Sequence, residues 1–111
     1  MATVTPKTLC QGTLLGVAAA TLYTTPASTT TTIRSITLCN TDTVTRTVTI
    51  YMVASGGAIG DASTVFKTLP ILASETITDI ALRVLETGDF FSALADAASK
   101  VSIRVDGAEI T

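Results

Sequence analysis

The residues in this chain that could do chemistry are carboxylates, two cysteines and one glycine-rich run, because its 111 residues contain no histidine. A Ser–His–Asp or Cys–His nucleophile therefore cannot be assembled, and no Ser-x-x-Lys motif takes its place. Glycoside hydrolysis would need two carboxylates facing each other across a cleft. Asp61, Glu75, Asp79, Glu86, Asp89, Asp96, Asp106 and Glu109 supply the residue type. Most of them fall at predicted turns, where acidic side chains serve backbone geometry, so no catalytic residue is assigned. Gly56-Gly57-Ala58-Ile59-Gly60 matches a phosphate-cradling loop in composition alone. Such a loop opens a helix and usually carries a lysine, whereas the residues after Gly60 read as strand. Cys10 and Cys39 without histidine do not make a zinc site, and the acidic turns lack the 1-3-5 oxygen spacing of a calcium loop. No metal and no cofactor are expected, and the chain reads as a non-enzyme.

Composition points the same way. Hydrophobic residues make up 47% and charged residues 14%, with a formal net charge of −2. The exterior must then be built largely from Thr, Ser, Ala and Gly. Lys and Arg are scattered singly, while a duplex binder needs clustered cations, so nucleic acid is not an expected partner. A weakly charged surface repels its neighbours little, and Glu, Lys and Asp are the residues depleted in interface cores. This reads as a surface meant to be covered. The start, MATVTPKTLCQG, lacks a basic region followed by a long apolar run, and Leu14–Leu22 is too short to span a bilayer. The expectation is a chain made in a cytosol, with no membrane association and with Cys10 and Cys39 as reduced, buried small hydrophobes.

The elements that must position these residues are strands. Roughly one residue in five is threonine, and the recurring signal has period two with no sustained 3.6-residue stripe. Residues 32–40 place Ile36 and Leu38 on one face and Ile33, Ser35, Thr37 and Cys39 on the other. Asn40-Thr41-Asp42-Thr43 turns the chain into 44–54, and these two segments are expected to form a hairpin. The run 55–61 is a loop. A strand over 63–72 carries Pro70, which places it on an edge or at a bulge. Shorter strands follow at 76–80, 82–86, 90–95 and 100–105, with Asp106-Gly107 predicted to turn into a terminal fragment, 108–111. Residues 8–16 and 20–25 make one or two strands, 26–32 a polar loop, and the alanines at 17–20 and 93–98 could support helical turns. Phe90 and Phe91 point one ring to each face of their strand, and core packing is the default for both, with an interface anchor the alternative for one of them.

Seven to nine short, mostly antiparallel strands with turn signals about every ten residues predict an all-β fold, a small β-sandwich. A jelly roll is favoured because it leaves few exposed edges. An immunoglobulin-like sandwich ranks second; it should hold a buried Trp, and this chain has none. Domain organisation is read as an N-terminal arm, 1–8, followed by a single sandwich domain, 9–111. Pro6 disfavours helix at Thr5, so the arm is extended. Thr3, Val4, Thr5, Pro6 and Lys7 are the candidate contact residues, as a strand awaiting a partner's sheet edge.

From Thr5-Pro6-Lys7 onward the order of segments resembles small virion proteins of tailed bacteriophages. The matching stretches are TLYTTPASTTTTIRSITLCNTD at 21–42, TVTIYMV at 47–53, the turn at Leu85–Asp89 and VSIRVDGAEI at 101–110. In length and character the chain is most similar to the jelly-roll staple proteins on the capsids of epsilon-15-like podophages. The resemblance implies a structural protein on the capsid exterior of a virion, made in the bacterial host cytoplasm. Its partner would be the major capsid protein, whose neighbouring subunits it cements, and it would form a homo-oligomer, a dimer before a trimer. Two alternatives are a low-copy tail-tip or fibre module and a secreted pilin or adhesin, the last requiring an oxidised Cys10–Cys39 pair.

Overall fold

Threonines and branched aliphatics build nine strands among the described residues: β1 (Val4–Leu14), β2 (Ala20–Thr24), β3 (Thr30–Asn40), β4 (Arg46–Val53), β5 (Thr64–Ile71), β6 (Thr76–Asp79), β7 (Arg83–Leu85), β8 (Phe90–Ala95) and β9 (Val101–Ile110). The structure, a computed structural model, describes residues 3–80 and 82–111. One sheet has the order β1-β9-β3-β6, with β7 pairing further along the same β3; the other has the order β2-β8-β4-β5. Every pairing is antiparallel. The pairs β1–β9, β2–β8, β3–β6/β7 and β4–β5 match the first half of the chain to the second in reverse order. That is a long hairpin wrapped into two facing sheets, the jelly roll.

The core lies between the sheets. Ile33, Ile36, Leu38, Val101, Ile103 and Val105 enter it from the first sheet; Val48, Ile50, Ile71, Phe91, Ala93 and Ala95 enter from the second. Phe91 is fully buried in the core, whereas Phe90, on the other face of the strand, is only half-buried. The alanine-rich 90–95 is strand through Ala95 rather than a helical turn: at the centre of its sheet, packing outweighs propensity.

Several expectations are corrected. The segments 32–40 and 44–54 are not a hairpin. β3 is flanked by β9 and β6/β7, and β4 by β5 and β8, so residues 41–45 cross from one sheet to the other. Asn40 makes that corner. It is fully buried, its Nδ2 donates to the carbonyls of Ile71 (2.9 Å), Val44 (2.9 Å) and Leu72 (3.2 Å), and its Oδ1 accepts from the Asp42 amide at 2.9 Å. Ile33 faces the core with Ile36 and Leu38, because a register shift between Ile33 and Ser35 inserts an extra residue and turns the face over.

Asp106-Gly107 is not a turn but the interior of β9. Gly107 stands opposite both Lys7 and Ile33, and a Cβ there would overlap the Thr32 carbonyl and reach Leu9 Cδ1 at 3.1 Å. Glycine is required by close backbone approach between two irregular neighbours. The predicted loop 26–32 ends earlier, since Thr30–Thr32 already belong to β3.

Candidate functional site

The candidate carboxylates do not converge. Asp79 meets Arg83 at 3.0 Å, Asp61 meets Lys67 at 3.9 Å, Asp96 meets Arg46 at 3.8 Å and Asp106 meets Arg104 at 3.2 Å. Asp89 accepts the amides of Ser55 and Glu86, both at 2.9 Å, and Glu75 accepts that of Leu72 at 3.1 Å. Glu86 receives the Thr30 hydroxyl at 3.4 Å. These are turn fasteners and surface pairs, spread over the molecule. Arg46 also binds Asp42 at 2.7 Å, and that guanidinium, with the Thr43 amide, holds the Asp42 carboxyl below the usual carboxylate range. No group of three or more Cys, Asp or Glu among the described residues is placed to hold a metal ion. No helix among them is long and apolar enough to cross a membrane.

The glycine-rich run 56–60 bends through Gly56 at φ +76° and leads into a single 3-10 turn, Asp61–Ser63, before β5. Together with the end of β4 it walls an open cavity of about 340 Å³ lined by Met52, Val53, Ala54, Gly57, Ala58, Ala62 and Ser63. Its one hydroxyl, Ser63 Oγ, is engaged with Gly60. Nothing ionisable lines it.

Cys10 is buried on β1 and Cys39 half-buried on β3, both as free thiols. β9 runs between them, and Cys10 faces Val105 while Cys39 faces Ser102. Two strand spacings across the sheet, with a further offset along β9, put them more than about 10 Å apart, beyond the roughly 7 Å that a disulfide can bridge. A bond between them within one chain is excluded by this geometry.

The five predicted contact residues come together along one edge. Val4 pairs with Ile110, Thr5 with Glu109, Pro6 with Ala108 and Lys7 with Gly107; Thr3 exchanges two backbone hydrogen bonds with Thr111, at 2.7 and 2.9 Å. All five side chains are exposed. Of the segment read as an arm, 1–8, the first two residues lie outside the described ones, and from Val4 onward it is the first half of β1 in this chain's own sheet, where Pro6 is tolerated because β1 is an edge.

Behind that edge lies a polar bolt that sequence reasoning missed. Tyr23 on β2 donates its hydroxyl proton to Glu109 Oε2 on β9 at 2.6 Å, and Thr31 Oγ1 on β3 lies 2.7 Å from the Tyr23 hydroxyl oxygen. Since Tyr23 has one proton to give, the Thr31 hydroxyl is the donor in that second bond. Lys7 Nζ closes on Glu109 Oε1 at 3.3 Å. Burial, then the bond to Glu109, pushes the Tyr23 phenol up to about 12, while Tyr23 and then Lys7 hold the Glu109 carboxyl below its ordinary value. The network ties four strands and both sheets together. Tyr23 and Glu109 lie 86 positions apart, and no local pattern joins them.

The remaining conspicuous feature is aliphatic surface. Val4, Leu14, Val17, Val44 and Leu72 are at least half exposed, and Ile80, Leu82 and Val84 form a row at 81%, 68% and 52%.

No protein-family model matches this sequence, and no curated protein matches it. Among solved structures the chain is similar to a Bacillus endospore appendage chain, from a family of disulfide-linked pili. That match has 21% identity and a TM-score of 0.57, and covers 100% of this chain and 90% of the other. It is also similar to a chain of infectious bursal disease virus, Gx strain, at 12% identity and a TM-score of 0.51, covering 99% of this chain and 32% of that one. The present chain therefore spans about a third of the viral one. What these matches share with it is the fold: an all-β jelly-roll sandwich.

Proposed function

We propose that this chain is a structural virion protein that binds the outside of a phage capsid and staples neighbouring major capsid subunits. The observation that carries the reading is the surface. Among the described residues nine large aliphatic side chains, Ile59 and the eight named above, stand exposed on a sandwich whose charges are mostly paired with one another. Such a surface is disposed to be covered by protein, and net charge near zero offers little repulsion to prevent it. A standard interface hides about 800 Å² per partner, a substantial share of the 5788 Å² available here. A part held at two points gains from effective concentrations in the millimolar range, so modest individual contacts suffice to resist outward strain.

The test is binding to mature particles that lack the protein. Saturable binding in fixed stoichiometry is expected, with Val4→Asp weakening it without unfolding the chain, since Val4 is 61% exposed. Deleting residues 1–8 would be a poor probe, because it strips half of β1 from β9. Failure of the purified protein to bind such particles would end the reading. Mass-spectrometric copy number per virion separates a staple, present in many copies, from a tail-tip module, present in few.

A second reading, a pilus subunit, is favoured by the likeness that spans nearly the whole of both chains. With the internal Cys10–Cys39 bond excluded, it requires thiols that cross-link separate copies. Electrophoresis of assembled material with and without reductant decides that point.

A further inference from the structure

A partner can reach this sandwich along a sheet edge or on a sheet face. The edges are ill suited to it. β1 carries Pro6, the exposed Lys7 and two register shifts. β5 carries Pro70, the exposed Lys67 and a bulge at Thr68, whose φ of +48° is rare for a β-branched residue. β2 is five residues long and irregular, and β6 and β7 are four and three residues long. Proline, lysine, bulges and shortness are the usual ways of blunting an edge against strand addition.

The faces are different. Directly opposed residues of an antiparallel sheet share a face, so the register assigns each row. On the first sheet Val84, Thr32, Ala108 and Pro6 make one outward row across four strands, and Thr30, Ile110 and Val4 make the next. The neighbouring Thr31 and Leu85 point inward and are buried. Val4 and Val84 are 61% and 52% exposed. No charge interrupts these two rows; beyond them Arg104 and Asp106 bond each other at 3.2 Å, and the exposed Arg34 is the extra residue of the β3 bulge. On the second sheet the outward rows set Thr24 beside Phe90, Thr21 in line with Ser92 and Tyr51, and Leu94 beside Thr49. No charged residue stands in them. Phe90, Tyr51 and Leu94 are half-buried, while the other side of the same strands sends Ile50, Phe91 and Ala93 into the core. Aromatic side chains in an uncharged setting are where binding energy concentrates.

We propose that the two outer faces are separate docking faces for two neighbouring shell subunits, so that a single copy bridges them through its own thickness, with Val4 and Val84 in one contact and Phe90 and Tyr51 in the other. This deepens the stapling reading and rests on it. Area argues for two occupants rather than one. Strands rise about 3.3 Å per residue and lie about 4.8 Å apart, so the ten residues of β9 and the four strands across give the first face roughly 600 Å². The eight residues of β4 give the second face roughly 500 Å². Each falls short of the about 800 Å² per partner of a standard interface, and the two together exceed it. Two short contacts on one rigid body reinforce each other, because the second forms at high effective concentration once the first is made. The partner surfaces must themselves be uncharged, since a charge buried against these rows would meet no counter-charge.

Particles lacking the protein, titrated with purified variants, test this through two readouts: affinity, and the temperature at which the loaded particle ruptures. Val4→Asp places a charge on the first face and Thr21→Asp on the second; both positions are exposed, and circular dichroism checks that the variants fold. Each is expected to bind at least roughly tenfold more weakly than wild type, because one of two cooperating contacts is lost. At saturating concentration each should still coat the particle through its remaining face, yet fail to raise the rupture temperature as wild type does. Should either variant fail to fold, Val84→Asp or Thr24→Asp replaces it on the same face. Folded variants of either face that bind like wild type, or that stabilise the particle fully, would overturn the two-faced assignment while leaving stapling itself intact. A wild-type chain that stacks on itself at micromolar concentration without particles would also overturn it, since its faces would then be taken up by its own copies. A wild-type chain that ignores the particle ends the stapling reading, and this inference with it.

Discussion

Replacing Asn40 by alanine should remove about 3–7 kcal/mol from the folding free energy. The two amide hydrogens of Asn40 serve three carbonyls, and its oxygen serves the Asp42 amide. The Ile71 carbonyl lies in the buried part of this corner; left unpaired, it costs about 1–3 kcal/mol. The Val44 and Leu72 carbonyls and the Asp42 amide sit nearer to water and can hydrate, so each loses about the net value of one hydrogen bond, 0.5–1.5 kcal/mol. The loss is large against the 5–15 kcal/mol by which domains are usually stable, and corresponds to a fall in Tm of at least roughly 10 °C. Urea denaturation followed by circular dichroism reads it as a lower midpoint at unchanged slope. Asn40→Asp adds an internal check. Its carboxylate would face carbonyl oxygens, so protonation is favoured and its folded pKa rises. A raised folded pKa gives stability that is present at low pH and lost as pH increases, so this variant should recover partly on acidification. A loss below about 1 kcal/mol in Asn40→Ala, or an Asn40→Asp variant indifferent to pH, would refute the role assigned to this corner.

The Tyr23–Glu109 bolt gives a pH signature at both ends. Because the folded Tyr23 pKa is raised from 10.0 to about 12, wild-type stability should fall as pH rises through that interval. The lowered pKa of Glu109 places its contribution at higher pH, lost as pH falls through the folded value. Tyr23→Phe should flatten both limbs in thermal melts run across pH; unchanged limbs would mean that the network does not couple to folding. Gly107→Ala should destabilise the chain by about 1–3 kcal/mol through overpacking against the Thr32 carbonyl, measured by the same denaturation. A neutral result would show that β9 can shift away from β3 at little cost.

Fold class was legible because threonine-rich alternation is local information: it says strand, and turn residues say where strands stop. Which strands pair is not local. Asn40-Thr41-Asp42-Thr43 has the composition of a hairpin turn, yet the same residues serve a crossover once Asn40 is buried at the corner. Asp106-Gly107 misled for the same reason, since a glycine needed for close approach and a glycine needed for a turn look alike in one dimension. Ile33 fell on the wrong face because a single bulge inverts the parity of every residue beyond it. The contact residues Thr3–Lys7 were correctly read as extended, but their partner is β9 of the same chain. The inter-sheet bolt joins β2 to β9 and carries no signature at all.

The pairing of β1 with β9 has a consequence for biogenesis. A ribosome delivers the first of these strands before the second, with all of β2 to β8 between them, so Val4–Leu14 must wait unpaired while those strands are made. Contacts so distant along the chain make folding slow, in the range of milliseconds to seconds for such topologies. During that delay the proline, the lysine and the two irregularities of β1 shield the nascent chain from adhering to its neighbours on the polysome.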